Sequence, residues 1–205
     1  MDSKRTKKII GFLKEIDKLK HVERKIKLRG RSRLETDAEH SWHVAMFVIL
    51  FEKDLPKIDI AKTLKIALIH DLVEIYAGDT FAFDIKNNKS QKFREEKAAK
   101  RLFGTLPEDL KKDFFKLYRE YENSSSKEGK IAQSFDKLQP IMQNIMNRGF
   151  SWKKYNVEFE NIDSYKKKFM THDKNILKVY NLFLKEIKKR GLAAKRNEKN
   201  RIRPK

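Results

Sequence analysis

Residues 60–76 constrain this chain most. They are apolar on several sides at helical spacing, through Ile60, Leu64, Ile66, Leu68, Ile69, Leu72 and Val73. A helix of that kind cannot rest on a surface, so other helices must surround it. Yet the run Ile69-His70-Asp71-Leu72-Val73-Glu74 puts an imidazole and two carboxylates inside it. Burying such groups is costly unless something binds them. A divalent metal is the commonest reason to do so, and the pattern points to metal-assisted hydrolysis of a phosphate ester.

The rest of the chain is also helical in period. Ile9, Leu13, Ile16 and Leu19 stripe a first helix. Residues 37–53 predict a second, N-capped by Thr36 or Asp37, with Trp42, Val44, Phe47, Val48 and Leu50 as its apolar side chains and Trp42 in the core. Gly78 ends the central helix, and residues 79–90 read as a loop. Further helices are predicted over 90–103, from Pro107 on behind a Thr105–Glu108 capping box, over 127–146, and over 174–189. No strand-like alternation is evident. The reading is all-α: one helical bundle over residues 1–187 with a buried central helix carrying the His-Asp doublet.

Charge sets the remaining segment apart. The net charge is +20, and residues 188–205 hold nine basic side chains against the single acid Glu198. Such a stretch reads as a basic, disordered tail, able to touch nucleic acid but more often a solvated charge run. There is no cysteine, which excludes disulfides, zinc ribbons and thiol catalysis. The N-terminal apolar run is too short for a signal peptide, and no segment approaches a membrane span of ~18 apolar residues. A soluble, cytoplasmic protein is expected, without membrane contact.

Four side chains form the candidate metal set. His70 and Asp71 share one helix edge, and His40 comes from the preceding, antiparallel helix. Mixed imidazole and carboxylate ligands suit Mn, Fe, Co or Zn better than Ca. Asp136 is the candidate fourth ligand, in the apolar stretch Ser134-Phe135-Asp136-Lys137-Leu138-Gln139-Pro140. Pro140 removes a backbone bond to residue 136 and predicts a bend there. The alternative is a surface Asp136 paired with Lys137 or Lys130. Glu74 lies one turn after His70 and could orient a water or take its proton; its alternative is an exposed pair with a lysine. His43 reads as a supporting or core residue, and His21 and His172 as solvated. No Gly-rich phosphate loop is present, so phosphate recognition falls to Arg or Lys.

In order and spacing, His40, His70-Asp71 and Asp136 resemble the ligand set of the HD-domain metal-dependent phosphohydrolases. The likeness is closer to the 5′-deoxynucleotidase branch of small HD proteins. It rests on Ala38-Glu39-His40-Ser41, on His70-Asp71-Leu72-Val73-Glu74 followed by Gly78-Asp79, and on Asp136-Lys137-Leu138. The resemblance covers about residues 8–150 and implies several things. His40, His70, Asp71 and Asp136 would hold one divalent ion, whether Mn, Co, Fe, Zn or Mg. Glu74 would be the catalytic acid–base. Arg24, with Arg33 as fallback, would bind the phosphate and Asp79 the sugar. The substrate would be a nucleoside or deoxynucleoside 5′-monophosphate, and the protein a homodimer. Two departures fall where sugar or base is read: Lys25-Ile26-Lys27 follows Arg24 in place of an aromatic residue, and Thr80-Phe81 stands in place of Leu-Pro. The rival readings are hydrolysis of another phosphate ester, such as a cyclic nucleotide or a triphosphate, and a non-enzymatic nucleic-acid-binding module using the tail.

Overall fold

A computed structural model describes residues 2–195. Helix α1 (Ser3–Ile16) is capped by Asp2, whose carboxylate accepts from the Lys4 and Arg5 amides. A short 3₁₀ turn (Asp17–His21) leads into strand β1 (Glu23–Lys27), which pairs antiparallel with β2 (Leu34–Thr36). No strand was expected here. β1 is short and charged, and only Ile26 is buried, so its sequence carries no alternation strong enough to read.

Thr36 N-caps α2 (Asp37–Phe51) in a full capping box with Glu39. Asp37 is therefore released from capping and lies buried. The expected central helix is divided: α3 (Ile60–Ile69), a 3₁₀ turn over His70–Val73, and the short α4 (Glu74–Ala77), ended at Gly78 with φ 75°. No Gly or Pro marks this break. Helix α5 (Ile85–Phe103) starts five residues earlier than expected, capped by Asp84. The predicted Thr105–Glu108 box does not form. Thr105 Oγ1 donates back to the Leu102 carbonyl, and α6 (Glu108–Glu122) begins at Pro107 without a side-chain cap.

Helix α7 (Lys127–Met146) runs as one element through Pro140. Two short helices follow that the sequence reading lacks, α8 (Phe150–Lys154) and α9 (Phe159–Lys166), and then α10 (Lys174–Arg190).

Helices α2, α3 and α7 pack on one another at the centre. One apolar cluster, with Val44, Phe47, Phe135, Leu138 and Tyr180, joins α2, α7 and α10. A second, with Phe12, Leu72, Val73, Leu102 and Phe103, joins α1 and α5 to the 70–73 turn. The His-Asp doublet lies where the two clusters meet. Trp42 does not join either: it is 62% exposed, and Leu13 and Leu50 are also on the surface. α2 is apolar nearly all round, so its pattern does not say which side faces in. His172 is not simply solvated, because its Nε2 lies 2.7 Å from Ser134 Oγ.

The end of the chain folds back. Leu192 is buried, and the Ala194 amide donates to the Val157 carbonyl at 2.9 Å. Gly149, at φ 71°, passes so close beneath Leu192 that a Cβ there would lie 1.8 Å from its carbonyl oxygen. Residues 196–205, the larger part of the expected basic tail, lie outside the described residues. No helix among the described residues is long and apolar enough to cross a membrane.

Candidate metal centre

Four expected ligands converge from three elements. His40 projects from α2, His70 and Asp71 from the turn after α3, and Asp136 from the middle of α7; all four are buried. His40 Nε2 lies 3.0 Å from Asp136 Oδ1 and 3.7 Å from Asp71 Oδ2. His70 Nε2 lies 3.1 Å from Asp71 Oδ1 and 3.8 Å from Asp136 Oδ1.

The ring tautomers follow from the far side of each imidazole. His70 Nδ1 faces the Ala67 carbonyl at 2.8 Å and must donate to it. His40 Nδ1 lies 2.8 Å from Gln139 Oε1, while Gln139 Nε2 donates to Glu35 Oε1 at 2.6 Å. Glu35 thus orients the amide, the amide oxygen accepts a hydrogen bond from His40 Nδ1–H, and His40 Nε2 is left with its lone pair. Burial, with Arg24 nearby, lowers the His40 pKa to about 4, so this ring is neutral. A neutral imidazole nitrogen and a carboxylate oxygen 3.0 Å apart bring lone pair against lone pair. His70 Nε2 also has no hydrogen-bond partner. Such a set fits a cation placed between its atoms.

Charge agrees with that fit. Glu35, Asp37, Asp71, Glu74, Asp79 and Asp136 crowd around two paired cations, Arg24 and Lys137. Arg24 Nη1 donates to Asp37 Oδ1 (2.9 Å) and Asp71 Oδ2 (3.1 Å) and lies 3.6 Å from Asp79 Oδ1. Lys137 Nζ pairs with Asp136 Oδ2 at 2.7 Å, and the Tyr121 hydroxyl donates to that same oxygen. Burial opposes the Asp136 carboxylate, but the Lys137 ammonium holds its pKa well below the usual range. Burial, together with Asp71 and Asp37, pushes Glu74 well above its range. Burial likewise raises Glu35 and Asp37 to about 7. Among the described residues, ligand atoms lie within 4.8 Å of one another in two triads: His40, His70 and Asp71, and Asp37, Asp71 and Glu74. Arg24 already bridges two acids of the second.

A cavity of about 370 Å³ opens beside these residues. Arg24, His70, Asp71, Glu74, Asp79 and Asp136 line it, and Phe81, Phe83, Trp152, Tyr165 and Phe169 add an aromatic wall. All seven residues singled out from sequence therefore lie in or against one site. Arg33 does not: it is exposed and paired with Glu39. His43 is half-buried, its Nδ1 3.3 Å from Gln139 Nε2. The sequence reading missed Glu35, Asp37, Tyr121, Lys137 and Gln139 as members. Gln139 was within reach, because it follows Asp136 by three residues on one helix face.

A helical bundle closed around two histidines and two aspartates defines a class of buried mixed imidazole–carboxylate ion sites. Comparison with known proteins gives the class its family. The HD-domain family matches residues 16–177, and the chain belongs to it. The chain is 31% identical to the human 5′-deoxynucleotidase HDDC2 over 136 residues, 66% of each chain. It is 32% identical over 143 residues to the Dictyostelium discoideum 5′-deoxynucleotidase HDDC2, covering 66% of this chain and 72% of that one. It thus spans about two thirds of the human relative's length. Among solved structures, a predicted metal-dependent phosphohydrolase from Magnetospirillum magnetotacticum MS-1 superposes with a TM-score of 0.86 at 35% identity, covering 93% of this chain and 99% of that one.

Proposed function

We propose that the protein is a metal-dependent phosphomonoesterase that hydrolyses nucleoside or deoxynucleoside 5′-monophosphates to nucleoside and phosphate. The observation that carries this is the His40–Asp136 pairing, in which the tautomer fixed by Gln139 leaves a ring lone pair facing a carboxylate, with His70 and Asp71 beside it. The names of the relatives and the size of the cavity support the substrate class.

In this reading His40, His70, Asp71 and Asp136 hold one divalent ion, with Mn, Co, Fe, Zn and Mg as candidates. When bound, the ion supplies Lewis acidity to the phosphoryl group and activates water. Arg24 donates to phosphoryl oxygens and offsets their charge as the ester bond breaks. Burial and the neighbouring acids push the Glu74 pKa well above its ordinary range, as suits a group that takes up a proton. Glu74 takes a proton from the attacking water as the water oxygen bonds to phosphorus, and hands that proton to the leaving 5′ oxygen as the ester P–O bond opens. Asp79 faces the sugar, and the aromatic wall takes the base.

The test is phosphate release from a panel of deoxy- and ribonucleoside 5′-monophosphates, using metal-stripped protein resupplied with each ion. Metal-dependent turnover is the expected result; none with any ion, despite tight metal binding, would discard the nucleotidase reading. Asp71→Ala should lose both metal and activity while keeping its helical circular dichroism. The homodimer belongs to the same proposal, with the exposed Trp42, Ile49, Leu50 and Leu68 as apolar surface for a second copy to cover. Sedimentation equilibrium checks it, and a monomer at micromolar concentration would refute it.

A further inference from the structure

We infer that Lys166 is a phosphate-binding residue, the buried ammonium that α9 delivers to the substrate's phosphoryl oxygens alongside Arg24. It rests on the reading that the cavity takes a phosphate ester. Lys166 is 4% exposed and lines the cavity. Its Nζ donates to the Lys137 carbonyl at 2.8 Å, which places it beside the residue that follows Asp136. An ammonium has three N–H donors, and no other hydrogen bond and no ion pair occupies this one among the described residues.

The other basic groups of the site differ in this respect. Arg24 is committed to Asp37 and Asp71, and Lys137 to Asp136. Burying an amine without an acid is costly. Desolvation, with Lys137 nearby, lowers the Lys166 pKa to about 7. The fold keeps this amine facing a cavity whose expected occupant is an anion, and an arriving phosphate would supply the missing counter-charge. An apolar residue would fill the same space at less cost if filling were its only role. The position belongs to α9, beyond the motifs that carry the family resemblance, so no motif points to it.

The experiment compares the metal-loaded full chain with Lys166→Met, which matches the lysine side chain as far as its ε carbon and removes the amine. Inorganic phosphate binding is measured by calorimetry, the ligand-free melting temperature by scanning, and kcat and KM on the monophosphate panel. In Lys166→Met, phosphate should bind at least about tenfold more weakly, the loss expected for one charged hydrogen bond. KM should rise with it, and the ligand-free melting temperature should hold or increase. Unchanged phosphate affinity would overturn the inference, and so would a fall in melting temperature alone, which marks a structural strut. If Lys166→Met does not fold, Lys166→Gln is read by the same criteria. Weaker phosphate binding by the variant, with no monophosphate turned over by the wild type, sustains Lys166 and sinks the nucleotidase reading instead.

Discussion

At the scale of single residues, the site is governed by side chains that touch no ligand position. Gln139 holds the His40 proton on Nδ1 because Glu35 holds Gln139. Gln139→Leu frees the imidazole to turn over its tautomer, and metal affinity should fall by roughly 10–100-fold, read by competition with a chelating dye. Glu35 itself makes stability depend on pH. Burial raises its folded pKa from 4.5 to about 7. The folded chain therefore holds a proton that the unfolded chain releases between those values. The stabilisation it brings is full below about 4.5 and is lost as pH rises through about 7. In metal-free protein, Glu35→Gln should flatten the fall in melting temperature across that window, whereas an unaltered slope would assign the dependence to other groups. The long-range members of this network explain what the sequence hid. His70, Asp71 and Asp136 are legible because their residue types are out of place in apolar runs, and His40 because it lies on the helix before them. Glu35 and Asp37 stand in a polar stretch where acids are ordinary, and only the fold turns them inward. Trp42 errs the other way: its size argued for the core, but α2 has more apolar surface than the core can cover.

At the scale of elements, periodic helices were readable and short or charged ones were not. α7 and α10 carry long stripes and sit where their spacing puts them. β1 holds Arg24 in place although its sequence, Glu23-Arg24-Lys25-Ile26-Lys27, looks like solvent-exposed chain. α8 and α9 are too short for a period to show, and the break at His70 has no breaker residue. The turn before α8 offers a direct test of element packing. Gly149 has a left-handed backbone and no room for a Cβ under Leu192. Gly149→Ala should destabilise the protein by about 2 kcal/mol or more, seen as a lower urea midpoint with an unchanged m-value. A midpoint equal to the wild type would mean that the C-terminal segment shifts away freely.

At the scale of the whole molecule, the acid-rich interior links folding to ion binding. Carboxylates crowded around Arg24 and Lys137 repel one another until a divalent cation joins them. An ion bound only by the folded state raises stability with its logarithm, by about 2.7 kcal/mol at a hundred times its Kd. The melting temperature should therefore climb with metal concentration and drop on adding a chelator. An Asp71→Ala protein should show neither change. The net charge of +20 would, under the proposed reaction, steer an anionic substrate toward the molecule from a distance.

The passage of Leu192 over Gly149 also bears on the order in which a growing chain becomes competent. A ribosome delivers α2, α3 and α7 first, and with them all four His and Asp side chains of the centre. The wall supplied by Trp152, Tyr165, Lys166 and Phe169 emerges later, and the strap at Leu192 that seats α8 emerges later still. A nascent chain halted before α8 should thus capture an ion before it can enclose a substrate.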